Sequence, residues 1–225
     1  DMTLRGAVDA LAESLSTAKP LFFGRVQRVR LLANKLADTL EMADSWKVDI
    51  ASVFSQIAYI GLPENITEDV YYKRKVPIPV RKLLAEFPKD TQKILDKIPG
   101  LEEIGEILQR VDVQPRFEEY DDRNIRISAS ILKVCLDFDF YEEQGHDKQL
   151  ILSSLKSRPN DYDPKIIKLL ELLVSSSEKS TKLEELSAKQ LETGMRLVDE
   201  LRLKDGFLLA SAGSYIDKQL YKVIR

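Results

Sequence analysis

Apolar residues recur at helical spacing over most of the chain, and the clearest pair of predicted helices lies within residues 25–65. The second helix of the pair, at about residues 47–60, is apolar on nearly every face, which indicates a helix buried inside a helical domain. Gly61 and Pro63 end it. The first helix has one apolar stripe, formed by Val26, Val29, Leu32, Ala33, Leu36, Ala37 and Leu40.

Shorter periodic segments surround this pair. Pro88 and Pro99 are predicted to separate the short helices in the middle of the chain, and the polar segment 65–79 predicts an irregular loop. The helix before His146 has a long apolar stripe, and the last helix of the region begins at Asp163 with a proline at its first position. The further helices are predicted at residues 3–15, 80–86, 90–98, 101–110 and 125–144.

A serine-rich break at residues 174–181 is the clearest domain boundary. Beyond it, Asp205-Gly206 between two short extended runs predicts a β-hairpin, and residues 215–224 predict a closing helix. We therefore expect three parts: a connecting helix at 1–20, a helical domain at 21–174 and a small α+β module at 175–225. The first part is open to two interpretations, an extra core helix or a helix descending from an upstream domain.

The composition limits the class of protein and the cellular compartment that the sequence fits. The 225 residues carry a formal net charge of −3, so no whole-chain signal indicates nucleic acid. No apolar run has the length of a membrane span, and no secretory signal opens the chain. A single cysteine excludes an internal disulfide framework and favours the reducing cytoplasm. The chain begins at Asp1 rather than Met, which favours a fragment with another domain upstream.

The chain has one histidine, His146, and one cysteine, Cys135, which excludes a histidine-rich dinuclear metal site. Only carboxylate-held Mg²⁺ or Ca²⁺ stays open, and we expect no cofactor. A Cys135–His146 dyad is disfavoured because eleven residues of helix separate the two by about 16 Å. We expect Cys135 to be a buried apolar residue and His146 to lie on the surface.

Several segments, in chain order, resemble the HD-GYP branch of the HD-domain phosphohydrolases. They are RVQRVRLLANKLA, SQIAYIGLPENI, PKDTQKILDKIPGLEEIGEIL and ASILKVCLDFDFYEEQG, and the segment ETGMRLVDELRLKDGFLLASAGSYIDKQLYKVI resembles a tail module of response regulators with this output domain. The resemblance implies a mostly α fold, an HD-domain-like helical bundle with a small C-terminal α+β tail of a β-hairpin plus a helix. It also implies a bacterial two-component response regulator with a receiver domain upstream.

In active members of that family, histidines and aspartates hold metal ions that activate water against cyclic di-GMP. The loop 110–124 replaces the family's signature segment, and either Asp112 or Gln114 lies nearest one former ligand position. Asp139, three residues after another such position, retains a carboxylate. The positions matched to the family's ligands carry residues that are weak or unable to bind metal: Arg25, Ser55, Gln56, Phe87 and Leu136.

Arg25 and Arg28 share one face of the first central helix. We expect Arg25 to form an ion pair with Asp112 or Asp139, because a buried guanidinium needs a carboxylate. The alternative is an anion site for a nucleotide phosphate.

From the resemblance we expect a pseudo-phosphodiesterase that is not an enzyme, because the HD metal ligands are replaced. In this interpretation, a non-catalytic output module relays an upstream phosphorylation signal to a protein partner or to a second copy of itself. The alternative is a sensor that binds cyclic di-GMP or another phosphate ligand in the vacated pocket without cleaving it. A hydrolase with a rebuilt metal site is the third interpretation.

Overall fold

The computed structural model describes residues 2–74, 76–111, 122–177 and 183–224. The mostly helical fold with a small C-terminal sheet is confirmed. One 3₁₀ turn spans Ala58–Gly61, and a second one spans Ala188–Gln190. The elements are α1 Met2–Ala18, α2 Pro20–Thr39, α3 Ser45–Ile57, α4 Glu64–Tyr71, α5 Ile78–Leu95, α6 Glu102–Arg110, α7 Arg123–Glu143, α8 Lys148–Lys156, α9 Pro164–Ser177, β1 Leu201–Arg202, β2 Leu208–Ala210 and α10 Lys218–Ile224.

Helix α2 is the centre of the packing, because it contacts α1, α3, α4, α7, α9 and β2. Small residues on its inner face, Ala33 and Ala37, are fully buried, and among the described elements α2 has its most extensive contact with α3. Arg30 on the same helix makes a bidentate ion pair with Asp49 of α3, with Nη2 2.6 Å from Oδ2. Apolar packing and this pair together fix α2 against α3.

Two predictions about the middle of the chain are wrong. The predicted loop 65–79 contains α4, whose buried residues Thr67, Val70 and Tyr71 recur at helical spacing. The predicted helices at 80–86 and 90–98 form one helix, α5, which continues through Pro88. Proline removes one backbone hydrogen bond, but residues on both sides of Pro88 pack into the core from one face, and that burial keeps the helix continuous: Val80, Leu84, Phe87, Thr91 and Leu95.

The C-terminal region matches the predicted hairpin and helix. Strands β1 and β2 pair antiparallel with Leu201 opposite Ala210, and Gly206 has φ 90° in the turn. Helix α9 extends to Ser177, so the predicted break at 174–181 begins inside a helix, and residues 178–182 lie outside the described chain. The division into parts at residues 20 and 174 stays a prediction.

Cys135 is fully buried, and burial raises the pKa of its thiol. His146 is exposed and meets the Tyr141 ring edge-on. The predictions for both residues are confirmed. In the described part of the chain, none of the helices combines the length and the hydropathy needed to cross a bilayer.

Leu36→Ala tests the central packing. Leu36 of α2 is fully buried, so we expect the free energy of unfolding to fall by about 2–5 kcal/mol through lost burial and a cavity. Leu31→Ala on the same helix is the control, because Leu31 is 40% exposed and should cost under about 1 kcal/mol. Urea denaturation followed by circular dichroism measures both, and equal losses would contradict the packing described.

Candidate functional site

Two arginines of α2 meet one aspartate of α7 in the interior. Arg25 donates from Nε to Asp139 Oδ2 at 3.2 Å. Arg28 donates from Nε to Asp139 Oδ1 and from Nη2 to Asp139 Oδ2 at 3.2 Å. All three residues are buried, with Asp139 only 3% exposed. Positions 25 and 28 lie one turn apart, so both side chains reach the same carboxylate.

Tyr71 and Glu143 complete this cluster. Tyr71, at the end of α4, accepts at Oη from Arg28 Nη2 at 2.8 Å and donates to Glu143 Oε2 at 3.1 Å. Arg28 Nη2 also lies 3.3 Å from Glu143 Oε2. The guanidinium of Arg25 lies 4.1 Å from the centroid of the Tyr71 ring, and its Nη2 donates to the Tyr71 carbonyl. We call Arg25, Arg28, Tyr71, Asp139 and Glu143 the charge network.

The network contains two guanidinium groups and two carboxyl groups, and its buried setting shifts the pKa of Arg28, Glu143 and Tyr71. Burial disfavours the Arg28 cation, but Asp139, Tyr71 and Glu143 outweigh that effect and raise the pKa of Arg28. Burial also raises the pKa of Glu143, against the opposing influence of Arg28. The pKa of Tyr71 is raised, chiefly by burial, which keeps the phenol a hydrogen-bond donor. The network therefore joins α2, α4 and α7 through hydrogen bonds and ion pairs among buried groups.

The remaining positions matched to the family's ligands make local contacts. Ser55 Oγ donates to the Ser52 carbonyl at 2.8 Å, and Gln56 Nε2 donates to the Ser55 carbonyl at 3.0 Å. Gln56 is buried, and its Oε1 has no hydrogen-bond partner among the described residues. The Phe87 ring meets the Tyr59 ring edge-on. Leu136 is half-buried against the core.

A divalent metal does not fit these residues. Both oxygens of Asp139 already accept from guanidinium groups, and a cation at Arg25 repels a metal ion. Within residues 2–74, 76–111, 122–177 and 183–224, no group of three or more His, Cys, Asp or Glu residues is placed to hold a metal. Asp112 and Gln114 lie outside the described residues.

Sequence reasoning missed Tyr71 and Glu143. Tyr71 falls in the segment predicted to be a loop, which hid its position on the inner face of α4. Glu143 had a usable signal: it follows Asp139 by one helical turn, just as Arg28 follows Arg25. The two arginines are three residues apart and the two acids four, so each pair lies on one face of its helix, which indicates paired positions.

Comparison with known proteins identifies the family. The model of the HD domain matches residues 9–166, so the chain belongs to the HD domain family. A crystal structure of the HD domain of the phosphodiesterase PgpH from L. monocytogenes, in complex with cyclic-di-AMP, is similar at 15% identity and TM-score 0.57, covering 78% of this chain and all of that one. A second structure of that domain has 13% identity and TM-score 0.51, over 75% and 97% of the chains. No curated protein matches the sequence.

These similarities overturn the prediction that the chain is not an enzyme. The HD domain family is confirmed, and the similar structures are HD domains of a phosphodiesterase. The prediction transferred ligand positions from one branch of the family. Part of the loop that replaces that branch's signature, residues 112–121, lies outside the described chain. Replaced ligands at the matched positions are therefore no ground for excluding hydrolysis.

Asp139→Asn tests the charge network. The variant leaves two buried guanidiniums without the carboxylate charge that they share, so we expect a loss of about 3–5 kcal/mol in the free energy of unfolding. The control is Asp90→Asn, which removes an exposed partner of Lys93 on α5 and should leave stability unchanged. Chemical denaturation measures the free energy of unfolding of both variants. If Asp139→Asn lowers it no more than the control does, Asp139 has no structural role.

Glu143→Gln tests the protonation of the network. Because the folded protein holds the Glu143 proton more tightly than the unfolded chain, its contribution to stability is complete below the unfolded pKa of about 4.3 and is lost as pH rises through the folded pKa. We therefore expect wild type to lose stability relative to Glu143→Gln as pH rises through this window. Urea titrations across a pH series measure the difference, and a parallel pH dependence would contradict the prediction.

Proposed function

We propose that this HD domain is the output module of a two-component response regulator in the cytoplasm, which passes an upstream phosphorylation signal to a protein partner or a second copy of the chain. The charge network carries the proposal, because it joins three helices through buried and directional contacts. The order of the family-like segments along the sequence, ending in the tail module, supports the response-regulator setting.

Helix α1 is the expected input. Val8, Ala12 and Leu15 are buried, and α1 contacts both α2 and α3. Close-packed interiors shift between discrete arrangements rather than deforming smoothly. A displacement of α1 is therefore expected to change how α2 packs against its neighbours. Lys19, between the two helices, bonds Glu64 Oε2 at 2.6 Å and Thr67 Oγ1 at 3.0 Å on α4. A movement of α1 would therefore displace α2 and α4, which both contribute residues to the charge network.

Phosphorylation mimicry in the full-length protein tests the relay. With beryllofluoride bound to a receiver domain, we expect backbone amide exchange to change in α1 and α2. The control is the full-length protein with the receiver's phosphoacceptor aspartate changed to Asn, which should not respond. A full-length chain without a receiver domain, or unchanged exchange in α1 and α2, would refute the proposal.

Binding of a cyclic dinucleotide is the second candidate function. The observation that favours it is the similar HD domain solved in complex with cyclic-di-AMP. Arg25 and Arg28 supply guanidinium groups of the kind that bind phosphate oxygens. In this chain both groups already bind Asp139, so a ligand phosphate would have to take the place of that carboxylate.

Calorimetry with cyclic di-AMP and cyclic di-GMP tests this candidate. Arg25→Ala should weaken binding roughly tenfold or more, because a charge-assisted hydrogen bond contributes about 1.5–3 kcal/mol. Arg81→Ala, an exposed arginine of α5, is the matched control and should bind as wild type does. Absence of binding heat in wild type would remove the candidate. Assaying the same samples for linear dinucleotide, with divalent metal added, measures hydrolysis directly.

A further inference from the structure

The C-terminal module (residues 183–224) is seated directly on α2 beside the charge network. The side-chain amide of Gln27 pairs with the backbone of Tyr215 in both directions: Nε2 donates to the Tyr215 carbonyl at 3.1 Å, and Oε1 accepts from the Tyr215 N–H at 2.9 Å. One residue further along α2, Arg28 Nη1 donates to the Ala212 carbonyl at 2.9 Å. These bonds connect consecutive residues of α2 to the backbone of one segment of the module.

Gly24 lets this segment approach closely. A Cβ at position 24 would overlap Ser211 Oγ and lie 2.5 Å from Ser214 Oγ. Both serines are buried, and their hydroxyls are 2.9 Å apart. Gly24, Gln27 and Arg28 therefore form one continuous docking face of α2 for the module.

The module depends on this face for its order. Its sheet has two short strands, and an isolated two-stranded hairpin is at best marginally stable in water. Its buried residues, Ala210, Ser211, Gly213, Ser214 and Ile216, cluster in the segment that contacts α2. Arg196 adds a long ion pair of 3.8 Å to Glu142 of α7.

Arg28 belongs to both the docking face and the charge network. Its Nη1 bonds the module, while its Nε and Nη2 bond Asp139 and Tyr71 and approach Glu143. The guanidinium is planar and rigid, so reorienting it for one set of partners disturbs the other set. The two sets of contacts are therefore not independent.

We propose that docking of the C-terminal module on α2 is coupled through Arg28 to the charge network, so that release of the module and rearrangement of the network are one transition. The coupling is a property of the fold. It holds whether or not the chain relays a phosphorylation signal or binds a cyclic dinucleotide.

Hydrogen–deuterium exchange on the whole chain tests the coupling from the network side. Glu143→Gln and Asp139→Asn change side chains of α7 whose contacts are with Arg25, Arg28 and Tyr71 rather than with the module, yet exchange of amides in residues 207–216 should speed up roughly tenfold. Exchange in α8 serves as the internal reference for global opening. Asp90→Asn, which removes the exposed partner of Lys93 on α5, is the control and should leave 207–216 unchanged.

Substitutions in the docking face test whether release of the module changes the charge network. Gly24→Ala should displace the module and speed exchange both in residues 207–216 and in the α7 residues 137–143, relative to α8. Gly6→Ala is the matched control, because Gly6 is also helical and nothing lies within 4 Å of a Cβ there. Gln27→Ala removes the amide pairing without a clash and should act in the same direction.

The proposal requires both the effect of the network on the module and the effect of docking on the network, and the absence of either one overturns it. If Glu143→Gln leaves residues 207–216 at the wild-type exchange rate relative to α8, the network does not act on the module. If Gly24→Ala and Gln27→Ala release the module while residues 137–143 exchange as in wild type, docking does not act on the network. Should Asp139→Asn fail to fold, Glu143→Gln decides the first direction.

Discussion

The burial of Arg25 and Arg28 against Asp139 is the interaction on which the arrangement of this domain depends. Removing guanidinium and carboxylate groups from water costs several kcal/mol for each ion, and only close, multiple hydrogen bonds offset that cost. The partners come from α2, α4 and α7, which are distant in sequence. The charges therefore specify one relative placement of these helices, whereas apolar packing alone tolerates several.

Much of the fold was predictable from sequence, for identifiable reasons. The stripe on α2 and the apolar faces of α3 and α7 are long and periodic, and such segments are the most reliable sequence signal. Helix α4 was missed because its buried positions occupy barely two turns within a polar segment. The continuity of α5 was missed because proline is a local signal for a break, and burial on both sides of Pro88 outweighs it.

The site was predictable only in part. The sequence places Arg25 and Arg28 on one face and retains Asp139, but it offered two carboxylates as partners for Arg25. The structure pairs Arg25 with Asp139. The bond from Arg28 to the Ala212 carbonyl could not be predicted from sequence. The two residues are 184 positions apart, and a backbone carbonyl leaves no pattern in the sequence. Inferring the absence of catalysis from replaced ligands failed because a motif position is not itself a measurement of activity.

The docking of the C-terminal module has a consequence for how its sequence can diverge. Gln27 bonds the backbone N–H and carbonyl of Tyr215, and Arg28 bonds the carbonyl of Ala212, so these contacts are indifferent to the side chains at 212 and 215. The constraint is asymmetric. Other side chains at 212 and 215 can keep these three bonds, except proline at 215, which has no N–H for Gln27. A larger residue at 24 or a shorter one at 27 removes part of the docking face unless another change compensates.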